Sequence, residues 1–253
     1  MVFLRLVFLY ILFSLCFCAY ADNNSNYQND KITETKSDMS ALDKWEAGTI
    51  VSEKSIEKYG IDRCFVIEKI SDAIFGRMYN KSYKTNCSVS RGDLRYIKIL
   101  HRNMNGDILL GEIVCNKHIA KDLIVIFREL YNASYPIERM ILIDNYDADD
   151  ERSMSANNSS CFNFRFVAGT KSLSKHSRGM AIDINPLYNP YVKRTQSGSI
   201  DISPRIGSPY ANRNKSFNYK IEKNDLCYKL FIAHGFKWGG DWSTVKDYQH
   251  FEK

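Results

Sequence analysis

Hydrophobic and polar positions recur along the chain at two spacings, one typical of helices and one of strands. Between residues 118 and 131, large apolar side chains share the spacing of one helix face, and these are Ile119, Leu123, Phe127 and Leu130. Asn116 stands where it can cap this helix. A second amphipathic helix is predicted for residues 225–234, with Asn224 as its cap and Gly235 at its end.

Three other segments have the patterns of β-strands. Residues 139–146 are rich in β-branched and aromatic side chains, and residues 180–184 alternate up to the break at Asn185-Pro186. Residues 246–252 combine aromatic and polar side chains in a way that suits a strand. Because helices and strands are mixed without a βαβα rhythm, we predict an α+β fold with a central antiparallel sheet and flanking helices.

The N-terminal residues carry the pattern of an export signal. Residues 1–21 place Arg5 before a short apolar run that ends in an A-x-A site, which is the layout of a cleavable signal peptide. The apolar run is short for a bilayer span of about 20 residues. Residues 22–44 are polar and predicted to be a disordered leader. From residue 45 onward we predict one domain, in which residues 45–110 are an accessory portion and residues 111–253 are the core.

This pattern predicts a protein that acts outside the cytoplasm. We expect it in the periplasm or the extracellular space, with no membrane span after cleavage. An uncleaved signal, or a lipid on Cys16 or Cys18, would instead anchor it. Five cysteines follow residue 21, enough for up to two disulfides in an exported protein, and their spacing assigns no pairing; they are Cys64, Cys87, Cys115, Cys161 and Cys227.

Composition narrows the class of protein. Hydrophobic residues make up 44% of the 253 residues and charged residues 25%, which predicts a full core and excludes bulk disorder and a coiled coil. The net charge is +6, and no block of five or six like charges occurs, so nucleic acid is not an expected partner. We expect a monomer.

Two segments, residues 174–183 and 238–252, concentrate residue types that bind metals. Together they offer two imidazoles and two carboxylates, and these are His176, Asp183, His250 and Asp247. Two histidines and one aspartate would hold zinc and leave a fourth position for water, whose pKa the ion lowers to about 7. Gly179 lets the chain bend back between the first two ligands. Asp247, three residues before the last ligand, would accept the proton of that water.

Spacing alone is weak support for this site. His176 also fits an ordinary loop histidine, Asp183 a turn or cap acid, and His250 a solvated residue near the chain end. No HExxH motif occurs, so the chain does not have the metal-binding helix of the common zinc proteases.

The combined arrangement is more specific. The segments SKHSRGMAIDINPLYNPY and GFKWGGDWSTVKDYQHFE resemble the zinc D-alanyl-D-alanine peptidase family, in particular its branch of peptidoglycan L-alanyl-D-glutamate endopeptidases. The likeness covers residues 111–252. It implies a hedgehog/DD-peptidase-like fold and one zinc ion on His176, Asp183 and His250, with Asp247 as the catalytic base.

The resemblance also implies residues that meet the substrate. Arg165 would anchor the substrate and stabilise the developing oxyanion, Ser174 would line the pocket, and Trp238 would shape the cleft wall. The implied activity is hydrolysis of amide bonds in peptidoglycan stem peptides, as a D-Ala-D-Ala carboxypeptidase or an L-Ala-D-Glu endopeptidase. The sequence leaves the choice between these two bonds open.

Two alternatives without catalysis use the same fold. One is a cell-wall-binding module with a degenerate site, which predicts a missing ligand or base, whereas all four positions are filled here. The other is a zinc scaffold for protein interaction, in which Asp247 would have no measurable role.

Overall fold

The computed structural model describes residue 33 and residues 35–167, 170–195 and 197–253. Residues 45–253 form one compact unit, which is described first. Its N-terminal half contains a four-stranded antiparallel sheet in the order β1-β4-β3-β2. The strands are β1 (Ile50–Val51), β2 (Val66–Lys69), β3 (Leu94–Arg102) and β4 (Ile108–Asn116). The helices of this half are α2 (Glu53–Tyr59), α3 (Asp72–Met78) and α4 (Ala120–Asn132).

The C-terminal half holds two small antiparallel sheets, ordered β5-β10-β8 and β7-β6-β9. Their strands are β5 (Ala181–Asp183), β6 (Tyr191–Arg194), β7 (Ile200–Ser203), β8 (Lys237–Trp238), β9 (Lys246–Asp247) and β10 (His250–Glu252). The helices are α5 (Asp150–Ser155) and α6 (Leu226–Ala233). Helices and antiparallel sheets thus confirm the α+β class, but the part of the chain that the structure describes has three separate sheets in place of the single central sheet that was predicted.

The predicted helices at residues 118–131 and 225–234 are confirmed as α4 and α6, but their caps differ. Asn116 does not cap α4; its Oδ1 accepts the N–H of His118 in the turn before the helix. Helix α6 is capped by Asp225, whose Oδ1 accepts the N–H of Cys227, and not by Asn224. A one-residue shift of this kind arises because either polar side chain can serve as the cap.

Residues 139–146 do not form the predicted strand. The side chain of Asn158 takes the place of a neighbouring strand, because its Nδ2 donates to Ile141 O and its Oδ1 accepts the Ile141 N–H. The chain then enters a 3₁₀ turn at Ile143–Tyr146. An amide side chain offers one donor and one acceptor, so it can satisfy a buried peptide as a strand would.

The predicted strand at residues 246–252 is divided in two. Strand β9 pairs with β6, whereas β10 pairs with β5 and β8. The chain therefore passes from one sheet to another at residues 248–249. The segment 180–184 is confirmed as strand β5.

An aromatic core lies under strand β10. Phe251 is fully buried and stacks on Phe231 of α6 with ring centroids 4.3 Å apart, and Phe231 meets Phe127 of α4 edge to face. Helix α4 also packs on β3, so this core joins the two halves of residues 45–253. It fixes the strand that carries His250.

In the N-terminal unit, residues 35–44 form helix α1, whereas residues 22–44 were predicted to be a disordered leader; residues 22–32 and residue 34 of that leader lie outside the described residues. Met39 and Leu42 have the i, i+3 spacing of one helix face, a signal hidden by the polar composition around it. The predicted signal peptide, residues 1–21, lies outside the described residues. No helix among the described residues is long and apolar enough to cross a membrane.

The five cysteines after the predicted signal are free thiols, and four of them are buried. The sequence allowed up to two disulfides without assigning a pairing, and no disulfide is present among the described residues. In Cys115, burial raises the pKa of the thiol above its usual range.

Candidate metal centre

A tight turn positions His176. The 3₁₀ turn Lys175–Arg178 begins at Ser174, whose Oγ accepts the N–H of His176. It ends at Gly179, which has a φ of 64°. A Cβ at this position would lie 2.7 Å from the backbone nitrogen of Asn116, so glycine is needed both for the conformation and for the close approach.

The other two ligand candidates lie directly across a strand pair. Asp183 ends β5 and His250 begins β10, and the antiparallel register places them opposite one another. Side chains directly opposite on neighbouring strands project from the same face of a sheet. The register therefore brings together two residues that are far apart in sequence.

The structure joins all three predicted ligands at one point. Asp183 Oδ1 lies 3.1 Å from His250 Nδ1, and its Oδ2 lies 3.3 Å from His176 Nε2. The two ring nitrogens are 3.2 Å apart. One donor atom from each residue lies within 4.8 Å of the others, and all three side chains are buried. Two buried imidazoles and a carboxylate that converge in this way could hold a metal ion, and these three residues are called the metal-binding set below.

The pKa values of Asp183 and His250 depend on the charges of the neighbouring side chains. Burial alone would raise the pKa of Asp183, but the charges and hydrogen bonds of His176 and His250 lower it below its usual range. Burial alone would lower the pKa of His250, but hydrogen bonds to Asp183 and Glu252 raise it to about 10. Without a cation, the carboxylate thus stabilises positive charge on the imidazole, which is the charge that a metal ion would supply.

Asp247 lies beside the three ligand candidates. Burial raises its pKa to about 6; the charge of His250 lowers it, and the charge of Asp183 raises it further. Its Oδ1 is shielded from solvent and has no hydrogen-bond partner among the described residues. An orphaned buried carboxylate oxygen next to a metal-binding set is an available acceptor for a proton.

Gly239 allows this close arrangement, and its place in a Gly-Gly turn is the only signal of this in the sequence. A Cβ there would lie 2.6 Å from the backbone oxygen of Asp247 and 3.2 Å from the Cβ of His250. Trp242, just after the turn, places its ring 5.2 Å from that of His250.

The other predicted site residues have clear structural contacts. The guanidinium of Arg165 forms an ion pair with Asp150. Ser174 uses its hydroxyl as the cap described above. Trp238 is buried, donates its indole N–H to Tyr248 O, and packs its ring where a Cβ of Gly240 would otherwise lie.

Cys161 contacts the site through its backbone oxygen, which lies 2.6 Å from His176 Nδ1. The sequence does not predict this contact, because every residue has a backbone oxygen.

A comparison with known protein families matches the part of the chain that carries the three candidate ligands. A family model described as D-alanyl-D-alanine carboxypeptidase matches residues 168–253. No curated protein and no solved structure matches the chain. Arg165 and the rest of residues 111–167 precede the match, so the resemblance stays a prediction there. The segment 168–253, which contains the three candidate ligands and Asp247, is similar to the D-alanyl-D-alanine carboxypeptidase family, and this match confirms the resemblance predicted from the sequence for that segment.

Proposed function

We propose that this protein is an exported zinc metallopeptidase that hydrolyses amide bonds in peptidoglycan stem peptides. The observation that carries the proposal is the buried meeting point of His176, Asp183 and His250 beside the unpartnered Oδ1 of Asp247. The family match over residues 168–253 supports the same chemistry. A hedgehog/DD-peptidase-like fold and a monomeric, single-domain enzyme from residue 45 onward complete the proposal.

The donor set fits one zinc ion. Two imidazole nitrogens and one carboxylate oxygen form the three-ligand set that proteins use for catalytic zinc. When bound, the ion supplies a Lewis acid and lowers the pKa of water to about 7. His176, Asp183 and His250 would hold it.

Asp247 is the proposed general base. Its shielded Oδ1 is free to accept a proton from the attacking water. With a pKa of about 6 it holds that proton more firmly than an ordinary aspartate and is still ionised at neutral pH. The same carboxyl group can then return the proton to the amine that leaves.

Arg165 is the proposed anchor for the substrate and for the negative charge that develops on its carbonyl oxygen. The ion pair with Asp150 holds the guanidinium in a fixed direction. The backbone N–H of Arg165 donates to Ser177 Oγ. Ser177 lies in the turn that carries His176, so this hydrogen bond connects the two segments. Ser174 and Trp238 are proposed to shape the pocket.

Two bonds are candidates for cleavage, the D-Ala-D-Ala bond and the L-Ala-D-Glu bond. Strand β6 lies between β9 and β7, so the β6–β7 hairpin borders the strand of Asp247. A closed pocket would select a free carboxylate at the end of the stem peptide, whereas an open cleft would admit an internal bond.

Digestion of purified peptidoglycan, followed by mass spectrometry of the fragments, tests the activity and identifies the bond. We expect one zinc per chain by elemental analysis, and loss of both zinc and activity in His176→Ala. Asp247→Asn should keep zinc and lose about 10²- to 10⁴-fold in rate, because only the base is removed. Asp241→Asn is the matched control, since this exposed acid in the preceding 3₁₀ turn pairs with Lys223 and its change should leave the rate unchanged.

The same variants separate the alternatives. A wall-binding module predicts sedimentation with peptidoglycan but no released fragments from the wild type. A zinc scaffold predicts stoichiometric zinc with no effect of Asp247→Asn. Either result would overturn the proposed activity.

A further inference from the structure

Glu252 contacts the imidazole of His250 on the side away from the other ligand candidates. Its Oε2 lies 3.3 Å from His250 Nε2, whereas Nδ1 of the same ring faces Asp183 and His176. The two residues are two positions apart on β10, so their side chains share one face of the strand. The ring is thus held between two carboxylates, one at each nitrogen.

This contact determines which nitrogen of His250 is free for a metal. A neutral imidazole has one N–H and one lone pair, and a metal ligand uses the lone pair. A carboxylate at Nε2 accepts the N–H there and leaves the lone pair on Nδ1, which is the nitrogen that faces the meeting point. A hydrogen bond of this type also fixes the ring and strengthens the ligand.

The two histidines are oriented by different kinds of group. His176 Nδ1 lies 2.6 Å from the backbone oxygen of Cys161, so its Nε2 faces the meeting point. That oxygen belongs to the main chain and no substitution removes it. The partner of His250 is a side chain, 23% exposed, that can be changed without opening a cavity in the core.

We propose that Glu252 is a positioning residue, which holds His250 with its proton on Nε2 and thereby strengthens zinc binding through Nδ1. This inference rests on the proposed function, because it requires zinc at the site. Glu252 acts through His250 and does not itself belong to the metal-binding set.

Zinc affinity of the full-length protein, measured by competition with a chromophoric chelator, tests this role without an activity assay. Glu252→Ala should weaken zinc binding by about 10- to 100-fold, the effect typical of removing such a partner. Glu252→Gln should bind zinc more tightly than Glu252→Ala, because the amide oxygen can still accept the Nε2 proton. Glu129→Ala is the matched control, an exposed glutamate on α4 whose loss should leave the affinity unchanged.

A second measurement identifies the ligating nitrogens. Nitrogen-15 spectra of the zinc-loaded protein should show a proton on Nε2 of His250 and on Nδ1 of His176. A wild-type spectrum with the His250 proton on Nδ1, or equal zinc affinities of wild type and Glu252→Ala, would overturn the proposal. A merely structural role would lower the melting temperature of the metal-free protein equally in both Glu252 variants and give Gln no advantage in zinc binding.

The outcomes separate this inference from the proposed function. Tight zinc binding that depends on Glu252, without any peptide hydrolysis, would support the positioning role and overturn the peptidase. Peptide hydrolysis by a protein whose zinc affinity does not depend on Glu252 would support the peptidase and overturn the positioning role. A wild type that binds no zinc would overturn both.

Discussion

His101 and His250 are both buried histidines, yet their surroundings move their pKa values in opposite directions. Burial lowers the pKa of His101 to about 4, and a hydrogen bond from its ring to the Ile137 carbonyl opposes this only in part. His250 has two carboxylates within reach, which raise its pKa to about 10 despite burial. The neighbouring charge, and not burial alone, decides the protonation of a buried imidazole.

His101 should therefore make the protein sensitive to acid. Its folded pKa is depressed, so the unfolded state binds the extra proton between about pH 6.5 and pH 4. The free energy of unfolding that depends on neutral His101 is complete above pH 6.5 and is lost as the pH falls to 4, by about 3 kcal/mol. The Nε2 of His101 has no hydrogen-bond partner among the described residues, which leaves a second proton without an acceptor.

Urea unfolding at pH 7 and pH 4.5, with a metal chelator present, measures this loss. The wild type should lose about 2–3 kcal/mol more than His101→Gln over that interval. Groups near the metal centre titrate in both proteins and cancel in the comparison. Parallel losses in the two proteins would contradict the assignment.

At the scale of elements, the turn that carries His176 depends on a glycine. Gly179→Ala should destabilise the fold and weaken zinc binding, because the new Cβ meets a backbone nitrogen at 2.7 Å and the left-handed conformation adds strain. Gly106→Ala is the matched control, since Gly106 also has a positive φ but nothing lies within 4 Å of the added Cβ.

Chemical unfolding and zinc titration of the two variants give the comparison. Gly106→Ala should cost about 1 kcal/mol from backbone strain alone and leave zinc affinity unchanged. Gly179→Ala should cost more and also reduce zinc affinity. Equal costs with equal zinc affinities would mean that the close approach to Asn116 is relieved elsewhere.

The side chain of Asn158 makes the hydrogen bonds to Ile141 that a neighbouring strand would make, and removing it should show how much they contribute to stability. Asn158→Ala leaves the N–H and the carbonyl of Ile141 without their partners, which should cost about 2–4 kcal/mol of unfolding free energy. Asn145→Ala, on an exposed asparagine of the following turn, should change stability by less than about 0.5 kcal/mol. A thermal or urea unfolding series compares the two, and similar values would show that water replaces the amide at Ile141.

At the scale of the whole molecule, the candidate metal centre links two distant stretches of chain, residues 174–183 and 238–252. An ion bound only by the folded state stabilises it by about 2.7 kcal/mol at a free concentration of 100 Kd. Zinc should therefore raise the melting temperature of the wild type and of Asp247→Asn, which keeps all three ligands. Asp183→Ala should lose this increase, and differential scanning calorimetry with zinc or with chelator measures it. An increase that persists in Asp183→Ala would place the zinc elsewhere.

The sequence by itself determined the elements whose signal is local. Helices α4 and α6 and strand β5 follow from periodicity, because a helix face or an alternating strand is written in neighbouring residues. The four residues of the candidate centre were predicted from the family resemblance, because residue type and spacing alone are weak support for a metal site.

The tertiary structure decided how these parts meet. The register that sets Asp183 opposite His250, the passage of residues 248–249 from one sheet to another, and the amide of Asn158 in place of a strand all depend on partners remote in sequence. So do the pKa of Asp247 and the contact of Glu252 with His250. Hydrogen-bond register and burial are properties of pairs of distant segments, and periodicity within one segment carries no information about its partner.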